Sequence, residues 1–192
     1  MATSLITGIL LAAGKSRRFG ADKLLYPLPD GTPMGVASAR ILRAGVDHAV
    51  VVVSDRQSPL AQLLAREGMS IAVCENASEG MGASLACGVR AASQAAGWVV
   101  ALADMPYIRS DTVARVADAL RAGAPLAAPA YKGRRGHPVG FARRFYAALA
   151  ALTGDVGARP ILTQHRADLV SVPVDDAGVL HDVDTVRDLA GD

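Results

Sequence analysis

Aromatic residues are scarce in this 192-residue sequence, at 4%, although about half of it (51%) is apolar. A core rich in Ala and Val and poor in rings implies helices packed closely on strands. Cysteine is nearly missing too: Cys74 and Cys87 have neither Cys-x-x-Cys spacing nor a His pairing. A disulfide framework is excluded, and free buried thiols in a reducing, cytoplasmic compartment are expected. Charge of one sign is also lacking, because the formal net charge is only +2. That is too little to argue for a nucleic-acid or bilayer partner. Nor is there a long hydrophobic run. The first, residues 5–11, has no basic region before it and is too short to span a membrane, so it reads as a buried strand.

What is present is an alternation of apolar runs with helical patterns, the signature of βα units and a mostly parallel sheet. Strands are expected at 5–11, 49–53, 71–74, 98–103, 126–128, 168–172 and 179–183. Helices are expected at 34–43, 59–67, 81–95, 110–122 and 145–152, with a last one from about Thr185. The helix at 110 opens on Ser110-Asp111-Thr112, read as a cap cluster. Residues 132–138 read as a basic, Gly-rich turn. No repeat or linker interrupts the pattern, so one domain over 1–192 is expected, in a three-layer α/β/α arrangement.

In open α/β sheets, ligands bind beyond the carboxyl ends of strands, where strand order reverses. Three stretches fall at such ends. After the first strand come Leu11-Ala12-Ala13-Gly14 and then Lys15, Ser16, Arg17, Arg18 and Lys23. Small residues let backbone N–H groups approach an anion, and the cations neutralise it. Asp104 follows the fourth strand. Asp182 and Asp184 lie near the end of the chain, two apart, so that an extended segment points both to one side with Val183 opposite. The opening loop is not a P-loop: Gly8 precedes Gly14-Lys15-Ser16 with five residues between, one too many. The Gly-x-Gly-x-x-Gly dinucleotide spacing is missing from this turn as well.

Leu11-Ala12-Ala13-Gly14-x-Ser16-x-Arg18-x-Gly20, followed by Lys23, resembles the signature loop of the molybdopterin-type nucleotidyltransferases. These are the MobA/MocA-like group of the glycosyltransferase-A-like nucleotidyltransferase superfamily. Similar stretches recur in order: Ala103-Asp104-Met105-Pro106, Gly136-His137-Pro138-Val139, Gly154-Asp155-x-Gly157-Ala158-Arg159, and Asp182-Val183-Asp184-Thr185. The resemblance spans almost the whole chain and implies the superfamily's Rossmann-type fold with a mixed, mostly parallel sheet.

It also implies an activity: Mg²⁺-dependent transfer of a nucleotide to the phosphate of molybdopterin, with release of pyrophosphate. Leu11, Ala12, Ala13, Gly14, Lys15 and Ser16 then seat the nucleotide, with Arg18 and Lys23 on its triphosphate as catalytic cations. Asp104 becomes a catalytic metal ligand, joined by Asp182, Asp184 or both. Mg²⁺ suits this set because it favours carboxylates together with phosphate oxygens and water. Gly82 and Ser84, at the start of the helix from 81, contribute to the nucleotide site. Arg135, His137, Pro138, Asp155 and Arg159 fall in the acceptor region.

Plainer readings stand beside several of these. Asp104 can cap a turn, Asp184 or Thr185 a helix, and Glu79 to Ser84 can be an ordinary helix start. His137 can be a structural hydrogen-bonding group, and Asp155 with Arg159 an internal ion pair. His48, His165 and His181 lack partners at ligand spacing and read as surface or packing residues.

Leu-Ala-Ala-Gly at 11–14 favours CTP, since guanylyl members resemble Leu-Ala-Gly-Gly and the extra glycine leaves room for a purine. Other acceptors, such as a sugar phosphate or an isoprenoid precursor, are the alternative within the class. The isoprenoid branch carries Pro-Lys-Gln where Asp22-Lys23-Leu24 stands here. A different class is a non-catalytic accessory protein that serves a molybdenum hydroxylase. Either way, a molybdenum hydroxylase or its accessory protein is the expected partner, with no nucleic acid and no membrane.

Overall fold

The structure is a computed structural model and describes residues 5–14, 22–185 and 188. Its framework is one eight-stranded sheet. In chain order the strands are β1 (Ile6–Leu11), β2 (His48–Val53), β3 (Ser70–Val73), β4 (Gly97–Leu102), β5 (Leu126–Tyr131), β6 (Arg134–Arg135), β7 (Val139–Ala142) and β8 (Leu169–Pro173). The helices are α1 (Met34–Ala44), α2 (Pro59–Arg66), α3 (Met81–Ala91), α4 (Ser110–Arg121), α5 (Tyr146–Ala150) and α6 (Arg159–Gln164).

Across the sheet the order is β3-β2-β1-β4-β7-β5-β6, with β8 paired to β5. β3, β2, β1 and β4 run parallel, β7 is antiparallel to both β4 and β5, and β8 is parallel to β5. The mixed, mostly parallel α/β arrangement expected from the sequence is what the chain adopts. β1 lies between β2 and β4, so strand order reverses on either side of it, in register Leu11 with Val52 and Leu11 with Leu102.

Side chains alternate across β1. Ile6 and Leu10 join one core with Met34, Leu42, Leu64, Val113 and Val116, from α1, α2 and α4. Ile9 joins the other, with Leu85, Val89, Leu149 and Ile161, from α3, α5 and α6. Trp98 and Phe141, the largest fully buried side chains, belong to the second. Close helix-on-sheet packing is visible at Gly88. A Cβ there would come within 2.6 Å of Ile9 and 2.8 Å of Val52, so only glycine lets α3 lie this near β1 and β2.

Several expectations need correction. The strand expected at 179–183 is a 3-10 turn, Ala177–Leu180, followed by a stretch with no strand pairing. The Asp176 carboxylate accepts the Gly178 N–H at 3.0 Å, and this local turn outweighs the apolar run. Residues 132–138 are more than a turn. Lys132 and Gly133, at φ 48° and 76°, close a two-residue hairpin in which Tyr131 pairs with Arg134, and β7 follows directly.

The helix from 81 stops at Ala91, with the Trp98 indole donating to the Ala92 carbonyl at 3.1 Å. The helix expected at 145–152 is a 3-10 turn, Arg143–Phe145, and the short α5, while β7 and α6 were not anticipated. Within Ser110-Asp111-Thr112, the Asp111 carboxylate accepts the Thr112 N–H at 3.0 Å, but the residue before the helix, Arg109, has no side-chain cap bond. Asp176 pins the start of α4 from elsewhere in the chain, accepting the Arg109 N–H at 2.9 Å and the Thr112 hydroxyl at 2.7 Å. The terminal helix expected from Thr185 lies largely outside the described residues.

Candidate active site

β1 and β4 end side by side at the reversal of strand order. Past Leu11, the Ala12 N–H donates to the Val52 carbonyl at 2.9 Å, and the Ala103 N–H donates to the Leu11 carbonyl at 3.2 Å. The sheet therefore fixes Ala12 and Ala103 before either segment leaves it. Asp104 comes next, with its preceding carbonyl, that of Ala103, held by the buried Ser38 hydroxyl at 2.9 Å. At the end of this segment Gly14 is exposed, and among the described residues nothing lies within 4 Å of where a Cβ would stand.

Lys23 enters this place from a 3-10 turn, Lys23–Leu25. The turn is capped by the Asp22 carboxylate, which accepts the Leu24 N–H at 3.3 Å. The Lys23 side chain is only 10% exposed, and its Nζ lies 3.0 Å from Asp104 Oδ2 and 3.2 Å from Asp184 Oδ1. Burial alone lowers the pKa of this ammonium. The hydrogen bonds and charges of Asp104 and then Asp184 outweigh it and leave the pKa raised. Lys23 is a cation at working pH, shared between two carboxylates.

Asp184 reaches this point because its segment docks on the end of β4. The Val183 N–H donates to the Asp104 carbonyl at 2.9 Å, and the Val183 side chain is fully buried. Asp182 and Asp184 flank it, both exposed, in the alternation expected of an extended segment. Of the proposed helix caps, Asp184 is turned to Lys23. The Asp188 carboxylate accepts the N–H groups of Asp184 and Thr185 at 2.9 and 2.7 Å. Asp188 was not anticipated, although Thr185-x-x-Asp188 has capping-box spacing.

The three-carboxylate metal set is only partly formed. Asp104 and Asp184 converge on one cation, but among the described residues no three His, Cys, Asp or Glu side chains gather at metal-binding separation. The charge of Asp182 acts instead on His137. The two converging carboxylates still suit a hard divalent ion. A cationic group already sits between their oxygens, and Mg²⁺ commonly takes only one or two protein carboxylates, with phosphate and water completing its shell.

His137 is brought near the same carboxylates by the hairpin. Its N–H donates to the Val179 carbonyl at 2.9 Å, and the backbone of Gly136 packs so tightly on Val179 that a Cβ would collide with it. The His137 pKa is lowered, chiefly by burial and then by the Arg135 charge, with Asp104 and Asp182 opposing. Its Nδ1 is buried and has no hydrogen-bond partner among the described residues. Pro138 is buried beside it, while Arg134 and Arg135 are exposed on β6.

Gly82, Ser84 and Asp155 are engaged with the protein itself. The Gly82 N–H donates to the Gly154 carbonyl at 2.8 Å, and the Met81 N–H donates to Asp155 Oδ1 at 3.3 Å. A Cβ on Gly82 would lie 2.5 Å from the Thr153 carbonyl. Ser84 is buried, with its hydroxyl donating to the Gly80 carbonyl at 3.4 Å. Asp155 is thus a cap for α3, and the loop at 153–155 is clamped to the start of that helix. The Asp155–Arg159 ion pair, the plainer reading of these two residues, is not formed among the described contacts; Arg159 is exposed at the start of α6.

Ala13 is 7% exposed and joins the core cluster of Val52, Cys74 and Ala77, so its methyl faces packing rather than open space. Lys15, Ser16 and Arg18 lie outside the described residues. His165 packs edge-on to Phe145, and His181 edge-on to Tyr107, in keeping with packing roles. No helix among the described residues is long and apolar enough to cross a membrane.

The chain and its fold are similar to several known proteins. A model of the MobA-like NTP transferase domain matches residues 8–169. The chain is 32% identical to the purine catabolism protein PucB of Bacillus subtilis, over 96% of this chain and 94% of PucB. It is equally identical, with the same coverage, to a nicotine blue oxidoreductase of Paenarthrobacter nicotinovorans. A molybdenum cofactor guanylyltransferase of Cupriavidus necator is 34% identical, again over 96% and 94%. The crystal structure of Rv0371c from Mycobacterium tuberculosis superposes with a TM-score of 0.83 at 30% identity, covering 99% and 97% of the two chains. A manganese complex of that protein gives 0.79 at 28%, covering 97% and 96%.

Proposed function

We propose, from the premise that this chain belongs to the MobA-like NTP transferase family, that it transfers CMP from CTP to the phosphate of molybdopterin or its molybdenum cofactor. The observation that carries this reading is the shared cation site: Asp104 and Asp184 converging on Lys23 where β1 and β4 end.

In the reaction an oxygen of the acceptor phosphate attacks the α-phosphorus. A new P–O bond forms, the bond to the β-phosphate bridging oxygen breaks, and pyrophosphate leaves. An ionised phosphate carries no proton at the attacking oxygen, so no general base is needed. The protein's task is to bring two polyanions together and neutralise them. The backbone from Leu11 to Gly14 seats the nucleotide, and Lys15, Ser16, Arg18 and Lys23 bind its phosphates. Arg135, His137, Pro138 and Arg159 face the acceptor. Asp155 supports the same region as the cap of α3. Asp104 and Asp184 would hold Mg²⁺, which when bound supplies charge neutralisation at the phosphates. The manganese complex of Rv0371c supports a divalent ion.

CTP is favoured by the resemblance of Leu11-Ala12-Ala13-Gly14 to the cytidylyl pattern; the Ala13 methyl itself packs in the core, so the residue acts through the course of the turn and not by filling the base pocket. The second reading is GTP, supported by the relative named molybdenum cofactor guanylyltransferase. The product is a finished cofactor, to be consumed by a molybdenum hydroxylase or handled by its accessory protein. Pyrophosphate release from CTP with molybdopterin and Mg²⁺ tests the reading. Wild type should turn over and Asp104→Ala should not; equal rates would remove the metal role of Asp104.

A further inference from the structure

The resting partner of Asp104 and Asp184 is a lysine of the chain itself. Two carboxylate oxygens face one ammonium at 3.0 and 3.2 Å, and the lysine is one of two buried charged residues among the described residues, with Asp176. A divalent ion bound by both carboxylates would take the place of that ammonium, because two cations of total charge +3 cannot share two single-charged carboxylates closely. The backbone of Lys23 is fixed by the Asp22 cap and the buried Leu24, so the side chain is the part able to move. Its flexible four-carbon stem can carry the ammonium to another anion nearby.

We propose that Lys23 is a resident counter-cation that keeps the Asp104/Asp184 pair closed to divalent metal until a triphosphate draws it away. Bound nucleotide then does two things. It offers phosphate oxygens to the ammonium, and it leaves the two carboxylates uncompensated, ready for the ion. Metal and nucleotide bind with positive coupling, and the coupling is reciprocal. A metal ion alone binds more weakly than it does in the presence of a triphosphate. This rests on the reading that Asp104 and Asp184 carry the metal, and adds to it the order in which the charges exchange.

The test is Mn²⁺ affinity of the full chain without nucleotide, read by electron paramagnetic resonance of free Mn²⁺. Lys23→Met, similar in length but uncharged, should bind Mn²⁺ at least about tenfold tighter than wild type. Adding Asp104→Asn to Lys23→Met should abolish the gain. Lys23→Gln is the second variant should the first fail to fold, with the same expectation. Affinity equal to or weaker than wild type overturns the exchange, as does a gain that survives Asp104→Asn. If Lys23→Met binds no tighter while pyrophosphate release by wild type still depends on Asp104, the exchange fails and the proposed function stands. If the gain is found but no nucleotide is transferred, the reverse holds.

Discussion

The main-chain N–H of Val183 donates to the carbonyl of Asp104 at 2.9 Å, tying the last extended segment to the end of a central strand. That bond, with the buried Val183 side chain, is what places Asp184 beside Lys23. Val183→Ala removes two buried methyl groups' worth of packing and should cost about 2 kcal/mol of stability. Urea unfolding would read it as a lower midpoint with an unchanged slope. An unchanged midpoint would mean that the segment does not dock as described.

The two carboxylates should not be equivalent. Asp104 is closer to Lys23 and its side chain is 30% exposed, against 57% for Asp184. Asp104→Asn should lower kcat/KM by about a hundredfold or more, the loss of several kcal/mol of charge stabilisation. Asp184→Asn should lower it by about tenfold, since water screens the more exposed group. Steady-state kinetics of the two variants at saturating Mg²⁺ compare them, and the opposite order would contradict the site.

Asp155 separates a capping role from a substrate role. As the cap of α3 it should cost about 1 kcal/mol when changed to Ala, seen as a lower melting temperature without any ligand. A residue that only binds the acceptor would leave that temperature unchanged and raise the acceptor KM alone.

His137 gives the fold a pH dependence. Its pKa in the folded protein lies below the ordinary 6.5, by burial first and the Arg135 charge second. The unfolded chain therefore binds the proton more readily, and its proton uptake begins near pH 6.5. The stability that His137 contributes is fully present above that pH and is lost as pH falls towards the lowered pKa. Denaturation midpoints measured from pH 8 down to about pH 5 should show this loss in wild type and less of it in His137→Gln. Parallel curves would refute it.

The parallel half of the sheet was legible because its strands are continuous β-branched runs such as Ala49-Val50-Val51-Val52-Val53, buried on both faces. Asp104 and the Asp182/Asp184 pair were legible as isolated acids at expected strand ends. That Asp104 meets one of the pair is implied by the family resemblance, but which one is not. Lys23 reads as a phosphate cation from the sequence, and only the folded chain shows it between Asp104 and Asp184. The antiparallel β7 escaped notice because Val139-Gly140-Phe141-Ala142 is short and follows a Gly-rich turn. The 179–183 run misled for the opposite reason, since its apolar residues are buried by a turn anchored at Asp176 rather than by strand pairing. Gly82 and Ser84 look like a ligand-facing helix start until the 153–155 loop is seen to occupy it.

The mass of the product reports the transfer itself. The full-length protein is incubated with molybdopterin, Mg²⁺ and an equimolar mixture of CTP and GTP, and the pterin is analysed by mass spectrometry. Wild type should give a pterin enlarged by CMP, and Asp104→Ala none. A pterin left unmodified by the wild-type protein, or one carrying GMP alone, would contradict it.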